Sequence, residues 1–359
     1  MSLTHLQIKN LRNIESARLD LHPHLNIVLG ANGSGKTSFL EAVYLLGSGH
    51  SFRTREISPL VRQSSDCLTV FARTNDEQTI SIQKSLLLPT QVRINSAVCQ
   101  SSSELAYFLP CQVFYQDIFQ IIDAGPSVRR SLLDWGLFHV KQSYHPLWKN
   151  YRRALKQRNS LLRQAASKKQ LVPWDNMLIA LSEQLNELRQ QYFVLLNKEF
   201  QNLLSQLTDN KATLTYYKGW DRRESGKSLS AILADNHESD LHRQFTQYGA
   251  HQADLIVNCE DFHAKQYLSR GQQKIILFAL KLAQAKLITK GCLYLCDDIS
   301  SELDQSHISN LFELIRNTHG QFFITSIHVD SLHFAKILLI TKRYLLKTVI
   351  SHSKKFKAE

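Results

Sequence analysis

The residues Gly30-Ala31-Asn32-Gly33-Ser34-Gly35-Lys36-Thr37 fill every fixed position of GxxxxGK followed by Ser or Thr, the phosphate-binding P-loop. Its glycines let successive backbone N–H groups curl around phosphate oxygens. The helix start behind them adds a partial positive charge, and Lys36 a full one. Thr37, followed by Ser38, is placed to ligate magnesium. A second constellation is Asp297-Asp298, at the end of the apolar run 292–296. Two carboxylates at the mouth of a buried strand demand a cation or a proton. In a P-loop protein the first holds Mg2+ and the second is set on the attacking water. A third is Leu268-Ser269-Arg270-Gly271-Gln272, ahead of an apolar-periodic helix. It makes a second anion cradle, though taken alone it is only a capped helix.

The P-loop needs a strand before it and a helix after it. Residues 24–29 read as a short apolar strand, and Phe39, Leu40, Ala42, Val43, Leu45 and Leu46 recur at helical spacing. Upstream, Leu6 and Ile8, then Ala17, Leu19 and Leu21, alternate with polar residues, predicting two half-buried strands. Lys9-Asn10-Leu11-Arg12-Asn13-Ile14 falls between them, and Arg12 either turns back toward phosphate or is a solvated turn residue. Arg53, in the Gly/Ser/His/Arg-rich stretch 47–55, faces nucleotide or DNA; spacing alone fixes neither role. Residues 67–73, 79–84 and 91–94 predict an antiparallel meander extending the first sheet, and 111–115 a further strand. Gly125-Pro126 introduces a helix, proline suiting its first turn.

From about 143 to 207 the pattern becomes long helices, with Pro173 as the expected break between them and the second helix about 50 Å long. Lys149, Arg152, Arg153, Lys156, Arg158, Arg163, Lys168 and Lys169 carry one sign, with no acidic residue from Lys149 to Val172. Such a run is either a solvated face or a surface for DNA. Residues 213–218 and 253–258 read as strands flanking a helix over 229–247.

Composition sets the frame. The chain has 359 residues, 43% of them hydrophobic, enough for a substantial core in two or three structural units. Its formal net charge of +12 favours a polyanionic partner. Cys67, Cys99, Cys111, Cys259, Cys292 and Cys296 form no CxxC pair, so neither a zinc site nor a disulfide framework is indicated. The first ten residues show no signal pattern, and no apolar run of about 18 residues occurs, so the expectation is a cytoplasmic protein with no membrane partner.

With these pieces in one order, the chain resembles the ABC-type ATPase heads and, within them, the RecF family of recombination mediators, relatives of the SMC-type DNA-binding ATPases. The resemblance spans about residues 3 to 325. It is carried by Lys9 to Ile14, Gly30 to Ser38, Ser51-Phe52-Arg53, Gly125-Pro126 with Arg129-Arg130 and Leu133-Asp134-Trp135, Gly249 with His251 and Asp254, Leu268 to Gln272, and Leu295 to Asp304. It implies an α/β fold: an ABC-type P-loop ATPase head, a mixed sheet with flanking helices, plus an inserted helical arm lobe. The expected division is 1–125 head, 126–248 arm, 249–330 head again and 331–359 a divergent basic tail. The arm is too short for the long coiled coils of SMC-type proteins.

By the same resemblance, Gly30 to Ser38 with Arg12 and Asn13 would bind ATP. Thr37, Asp297 and Gln112 would serve Mg2+, and Asp298 and Lys36 would be the catalytic residues. Ser269, Gly271 and Gln272 would reach the nucleotide of a second copy, giving an ATP-dependent homodimer with weak ATPase activity. Partners would be single-stranded or gapped DNA and the RecR and RecO proteins, in a role of recombinase loading and SOS induction. His328 is a candidate switch histidine. The competing functions are the nucleotide-binding subunit of a membrane transporter, against which the arm argues, and a small-molecule kinase, which leaves Leu268 to Gln272 unexplained.

Overall fold

The computed structural model describes residues 1–259, 262–263, 268–299, 303–327 and 341–345. His328 lies outside them. Two compact units emerge: Met1–Ile118 together with the described residues from Ile288 onward, and Phe119–Leu287. The divisions therefore fall near 118 and 287 rather than at 125 and 248, so the Leu268–Gln272 segment belongs to the helical unit.

The first unit contains two sheets. Strands β1 (Leu3–Leu11), β2 (Ile14–Asp20), β4 (Cys67–Thr74), β5 (Thr79–Ser85), β6 (Gln91–Ile94) and β7 (Ala97–Val98) form an antiparallel sheet in the order β2-β1-β4-β5-β6-β7. The expected meander is present, but it extends this sheet and not the one holding the P-loop strand. That second sheet is parallel: β3 (Leu25–Leu29), β8 (Cys111–Phe114), β12 (Leu293–Cys296), β13 (Gln321–Ser326) and β14 (Thr341–Leu345) lie in the order β14-β3-β13-β12-β8. Strand β14 pairs in parallel with β3, so a strand lies within the stretch read as a divergent tail.

Helix α1 (Lys36–Ser48) is buried almost all round, as a helix lying between two sheets must be. Its Phe39, Leu40, Val43 and Leu46 share one core with Leu6, Ile8, Val70 and Ile82 of the antiparallel sheet and Val28, Leu295 and Phe323 of the parallel one. Each such buried side chain contributes about 1.5–3 kcal/mol of transfer free energy. A short helix α2 (Ser102–Phe108) precedes β8.

The second unit holds α3 (Gln120–Asp123), α4 (Pro126–Val140), α5 (Tyr144–Arg163), α6 (Lys168–Leu207), α7 (Leu229–Asp235), α8 (His237–Arg243) and α9 (Arg270–Lys286). The three-stranded sheet β11-β10-β9 uses Phe262–His263, Asp254–Cys259 and Thr213–Tyr217. In the first unit α10 (Gln305–Arg316) connects β12 to β13. The break between α5 and α6 falls at residues 164–167 and not at Pro173, which lies inside α6. Ala165 adopts φ 49°, and the Ala166 N–H donates back to the Leu161 carbonyl at 3.0 Å, closing α5. Ser167 and Gln170 then form a capping box that starts α6. Pro173 forfeits one backbone bond near that start while its fixed φ suits the helix. At 40 residues α6 is about 60 Å long. Its Leu171, Leu178, Leu185, Tyr192, Leu196, Phe200, Leu203 and Leu207 make the buried seam.

Buried charge organises this unit. Arg158, expected on a solvated or DNA-facing run, is fully buried and donates to Asp175 at 2.6 Å and to Asp240 and Thr246 at 2.7 Å each. Arg189 donates to Asp134 at 2.8 Å and to the Ala250 carbonyl at 2.6 Å. Arg129 grips Asp254 with two bonds. Several residues that carried the family resemblance thus build the helical unit. Among the described residues, no helix is long and apolar enough to cross a membrane.

Candidate nucleotide-binding site

The site lies at the carboxyl ends of the parallel strands, where α/β sheets gather ligands. Strand β3 is buried throughout, and Gly30 leaves it with its N–H on the Ser326 carbonyl at 3.3 Å. The chain then turns through Gly33 at φ 79° and Gly35 at φ 106°. At Gly35 a Cβ would be strained by this φ and would meet the Asn13 side chain at 3.1 Å, so only glycine fits. Gly35 is also the N-cap of α1, and no side chain caps that helix.

Lys36 opens α1, only 8% exposed, with Nζ donating to the carbonyls of Gly30 at 2.7 Å and Ala31 at 3.0 Å. Burial lowers its pKa, opposed by the charges of Asp297 and Asp298. Thr37 Oγ1 donates to Asp297 Oδ2 at 2.9 Å, which brings the P-loop and the acidic pair together. Thr325 Oγ1 donates to Asp297 Oδ1 at 2.6 Å and accepts from the Asp298 N–H at 2.9 Å. The Asp297 N–H donates to the Phe114 carbonyl at 2.9 Å. Asp298 has φ 44°, a left-handed conformation that non-glycine residues hold only where surrounding structure imposes it.

Gln112 sits on β8, two residues before Phe114, buried, and its Nε2 has no hydrogen-bond partner among the described residues. No hydrogen bond joins it to Thr37 or Asp297. Ser34 Oγ is likewise buried without a partner inside the loop itself. Asn13 Nδ2 donates to the Gly33 carbonyl at 2.9 Å, and Ser38 Oγ donates to Asn13 Oδ1 at 3.0 Å. Arg12 instead grips Glu41 of α1 with two bonds, one of 2.8 Å from Nη2. In the helical unit, exposed Ser269 caps α9. Its Oγ accepts from the Gln272 N–H at 3.3 Å, while Gln272 Oε1 accepts from the Ser269 N–H at 2.9 Å. Gly271 is half-buried in the first turn.

Chemically the loop offers an anion cradle, and the buried Ser34 hydroxyl, with no partner among the described residues, suits a phosphate oxygen. Thr37 and Asp297 present oxygen donors, which fit a hard cation such as Mg2+. Among the described residues no cluster of three or more metal-ligating His, Cys, Asp or Glu side chains occurs. A cation here would be completed by phosphate oxygens and water, the usual way Mg2+ is held.

Sequence reasoning missed Thr325 and Glu41. A hydroxyl at the carboxyl end of the apolar strand 321–326, beside the Asp297 strand, was the signal for the first. A carboxylate among the apolar positions of α1 was the signal for the second.

Fold and site together define an ABC-type P-loop ATPase of mixed α/β architecture. A family model described as the RecF/RecN/SMC N-terminal domain matches residues 2–344. A DNA replication and repair protein RecF from Azotobacter vinelandii is 38% identical over 341 residues, 92% of this chain and 93% of that protein. Its namesake from Edwardsiella ictaluri is 37% identical over 341 residues, 92% of this chain and 94% of that one. In fold, the recombination mediator protein RecF with ATP, of the RecFOR pathway, superposes with TM-score 0.82 at 22% identity, covering 99% of each chain. An Smc head bound to the C-winged helix domain of ScpA gives 0.62 at 16% identity, covering 100% of this chain and 98% of that one. The chain belongs to the RecF family, within the RecF/RecN/SMC group.

Proposed function

We propose that the protein is an ATP-dependent DNA-binding protein of recombinational repair and replication, acting on single-stranded or gapped DNA. ATP joins two copies, and slow hydrolysis separates them. The observation that carries this reading is the bond from Thr37 to Asp297, which sets an acidic pair against the P-loop at the sheet's carboxyl edge. Asp297 retains lone pairs beyond those used by Thr37 and Thr325, so it can still ligate a cation. Bound there with Thr37 and assisted by Gln112, Mg2+ would neutralise phosphate charge. Asp298, its backbone held by Thr325, positions or deprotonates the attacking water. Lys36 exchanges its two carbonyl partners for phosphate oxygens, a stronger charge-assisted pairing.

Ser269, Gly271 and Gln272 of one copy reach the nucleotide of the other. Ser269 Oγ already accepts from Gln272, yet its proton is free to be donated outward to a γ-phosphate. Loss of that phosphate removes the link between copies.

DNA binding is supported by the arm. Lys149, Arg152, Arg153, Lys156, Arg163, Lys168 and Lys169 are all exposed, and none forms a salt bridge among the described residues. Arg152 stacks over Trp148 at 4.9 Å. RecR and RecO are the proposed partners, in recombinase loading and SOS induction. The test is a size measurement with and without ATP and magnesium, repeated with gapped DNA. The expected result is an ATP-dependent dimer whose DNA affinity falls about 10³- to 10⁵-fold between 50 and 200 mM salt, as for six to ten phosphate contacts. Salt-insensitive or absent DNA binding refutes the reading.

A further inference from the structure

We propose that Glu41 is a positioning residue for the ATP site, bracing the P-loop from outside through Arg12 and Asn13. The inference rests on the reading that this loop holds ATP. Glu41 is fully buried on α1, one turn beyond Thr37. Burying a carboxylate is costly, and packing alone would be served by an apolar residue, as at Leu40 and Val43. Its oxygens are answered by the Arg12 guanidinium in two bonds and by Ser51 Oγ at 2.5 Å, with Arg53 Nη1 3.6 Å away.

The far end of this strut is the β1–β2 turn. Arg12 and Asn10 are held at φ 50° and 55°, conformations that cost non-glycine residues energy unless the surroundings impose them. The Arg12 N–H donates to the Leu60 carbonyl at 2.8 Å and its Nη1 to that of Pro59 at 3.2 Å. The turn is therefore fixed, and Asn13 projects from it as a clamp. Its Nδ2 takes the Gly33 carbonyl and its Oδ1 takes Ser38 Oγ, one contact on each side of Gly35. Tying the Gly33 carbonyl outward sets the direction of the Gly33–Ser34 peptide. Tying Ser38 fixes the loop against the first turn of α1. Glu41 thus ties the middle of the loop, at Gly33, and the residue behind it, Ser38, to one rigid helix without meeting the nucleotide itself.

The experiment titrates a fluorescent ATP analogue into wild type, Glu41→Gln, Asn13→Ala and the double variant, with thermal midpoints measured without nucleotide. Each single change is expected to weaken binding about tenfold, and the double no more than the larger single, because both act through one strut. Asn13 is exposed, so its replacement is expected to leave the chain folded and keeps the test valid even if Glu41→Gln unfolds. Wild-type affinity in either single variant, or additive losses in the double, overturns the proposal. Failure of the wild type to bind would instead sink the ATP reading itself.

Discussion

Two helix starts hold candidate site residues of this protein, and they are built in opposite ways. Helix α1 begins behind Gly35 with no side-chain cap, so its leading N–H groups lack a local side-chain acceptor. Helix α9 begins behind Ser269 with a complete capping box, so its own side chains answer the N–H groups of Ser269 and Gln272. The first needs an anion to be satisfied. The second is partly satisfied by its own side chains and adds the Ser269 hydroxyl proton. The difference teaches that a P-loop leaves donors open for an anion, whereas the Leu268–Gln272 segment is a capped helix, which under the proposed function becomes a contact only when a phosphate is brought to it.

The largest expected effect breaks the α1 end. Lys36→Ala should weaken ATP binding about a hundredfold, the loss of charged hydrogen bonds each worth about 1.5–3 kcal/mol. Nucleotide titration checks it, and unchanged affinity would mean that the uncapped start does not bind phosphate. Next comes a pH effect confined to the unit that holds α9. His251 Nε2 faces the Thr246 carbonyl at 3.0 Å and so carries the proton, leaving Nδ1 to accept from the Tyr151 hydroxyl at 2.6 Å. Burial, aided by Arg130 and Arg158 and opposed by the Thr246 carbonyl and Asp240, lowers its pKa from 6.5 to about 4.

Above pH 6.5 the ring is neutral folded or unfolded, and its contribution is constant. Between 6.5 and 4 the unfolded chain takes up the proton first, so stability falls on acidification, by on the order of 2–3 kcal/mol, and no further below 4. Denaturant midpoints across this range, compared with His251→Gln, test it; an equally steep acid loss in the variant would refute it. The smallest effect on the chain itself sharpens the α9 end. Ser269→Ala should cost about 1 kcal/mol of stability through the lost cap. It should leave monomer ATP binding intact yet abolish the ATP-induced dimer seen by light scattering. A variant that still dimerises would leave α9 as merely a capped helix.

Much of the fold was legible because its signals are local. The alternation in 67–73 and 79–84 gave β4 and β5, and the apolar run before Asp297 gave β12, because strand period and burial are written residue by residue. Partition of the strands into two sheets was not legible, since pairing joins segments far apart: β1 lies beside β4, and β3 lies between β13 and β14. Pro173 misled for a related reason. The helix boundary is set upstream, by Ala165 in the left-handed conformation and by the Ser167–Gln170 capping box, and Pro173 lies inside α6 at the cost of one backbone bond.

The sequence by itself determined the chemistry on offer: a phosphate loop, a hydroxyl for a cation, an acidic pair and a basic arm. Those depend on residue type at short spacing. Tertiary structure decided which groups meet and which charges are spent. It set both Thr37 and Thr325 on Asp297, turned Arg12 onto Glu41, and withdrew Arg158 from the basic run onto Asp175 and Asp240. A charge in sequence has no fixed partner; only the packed chain, where every buried charge must be answered, assigns one.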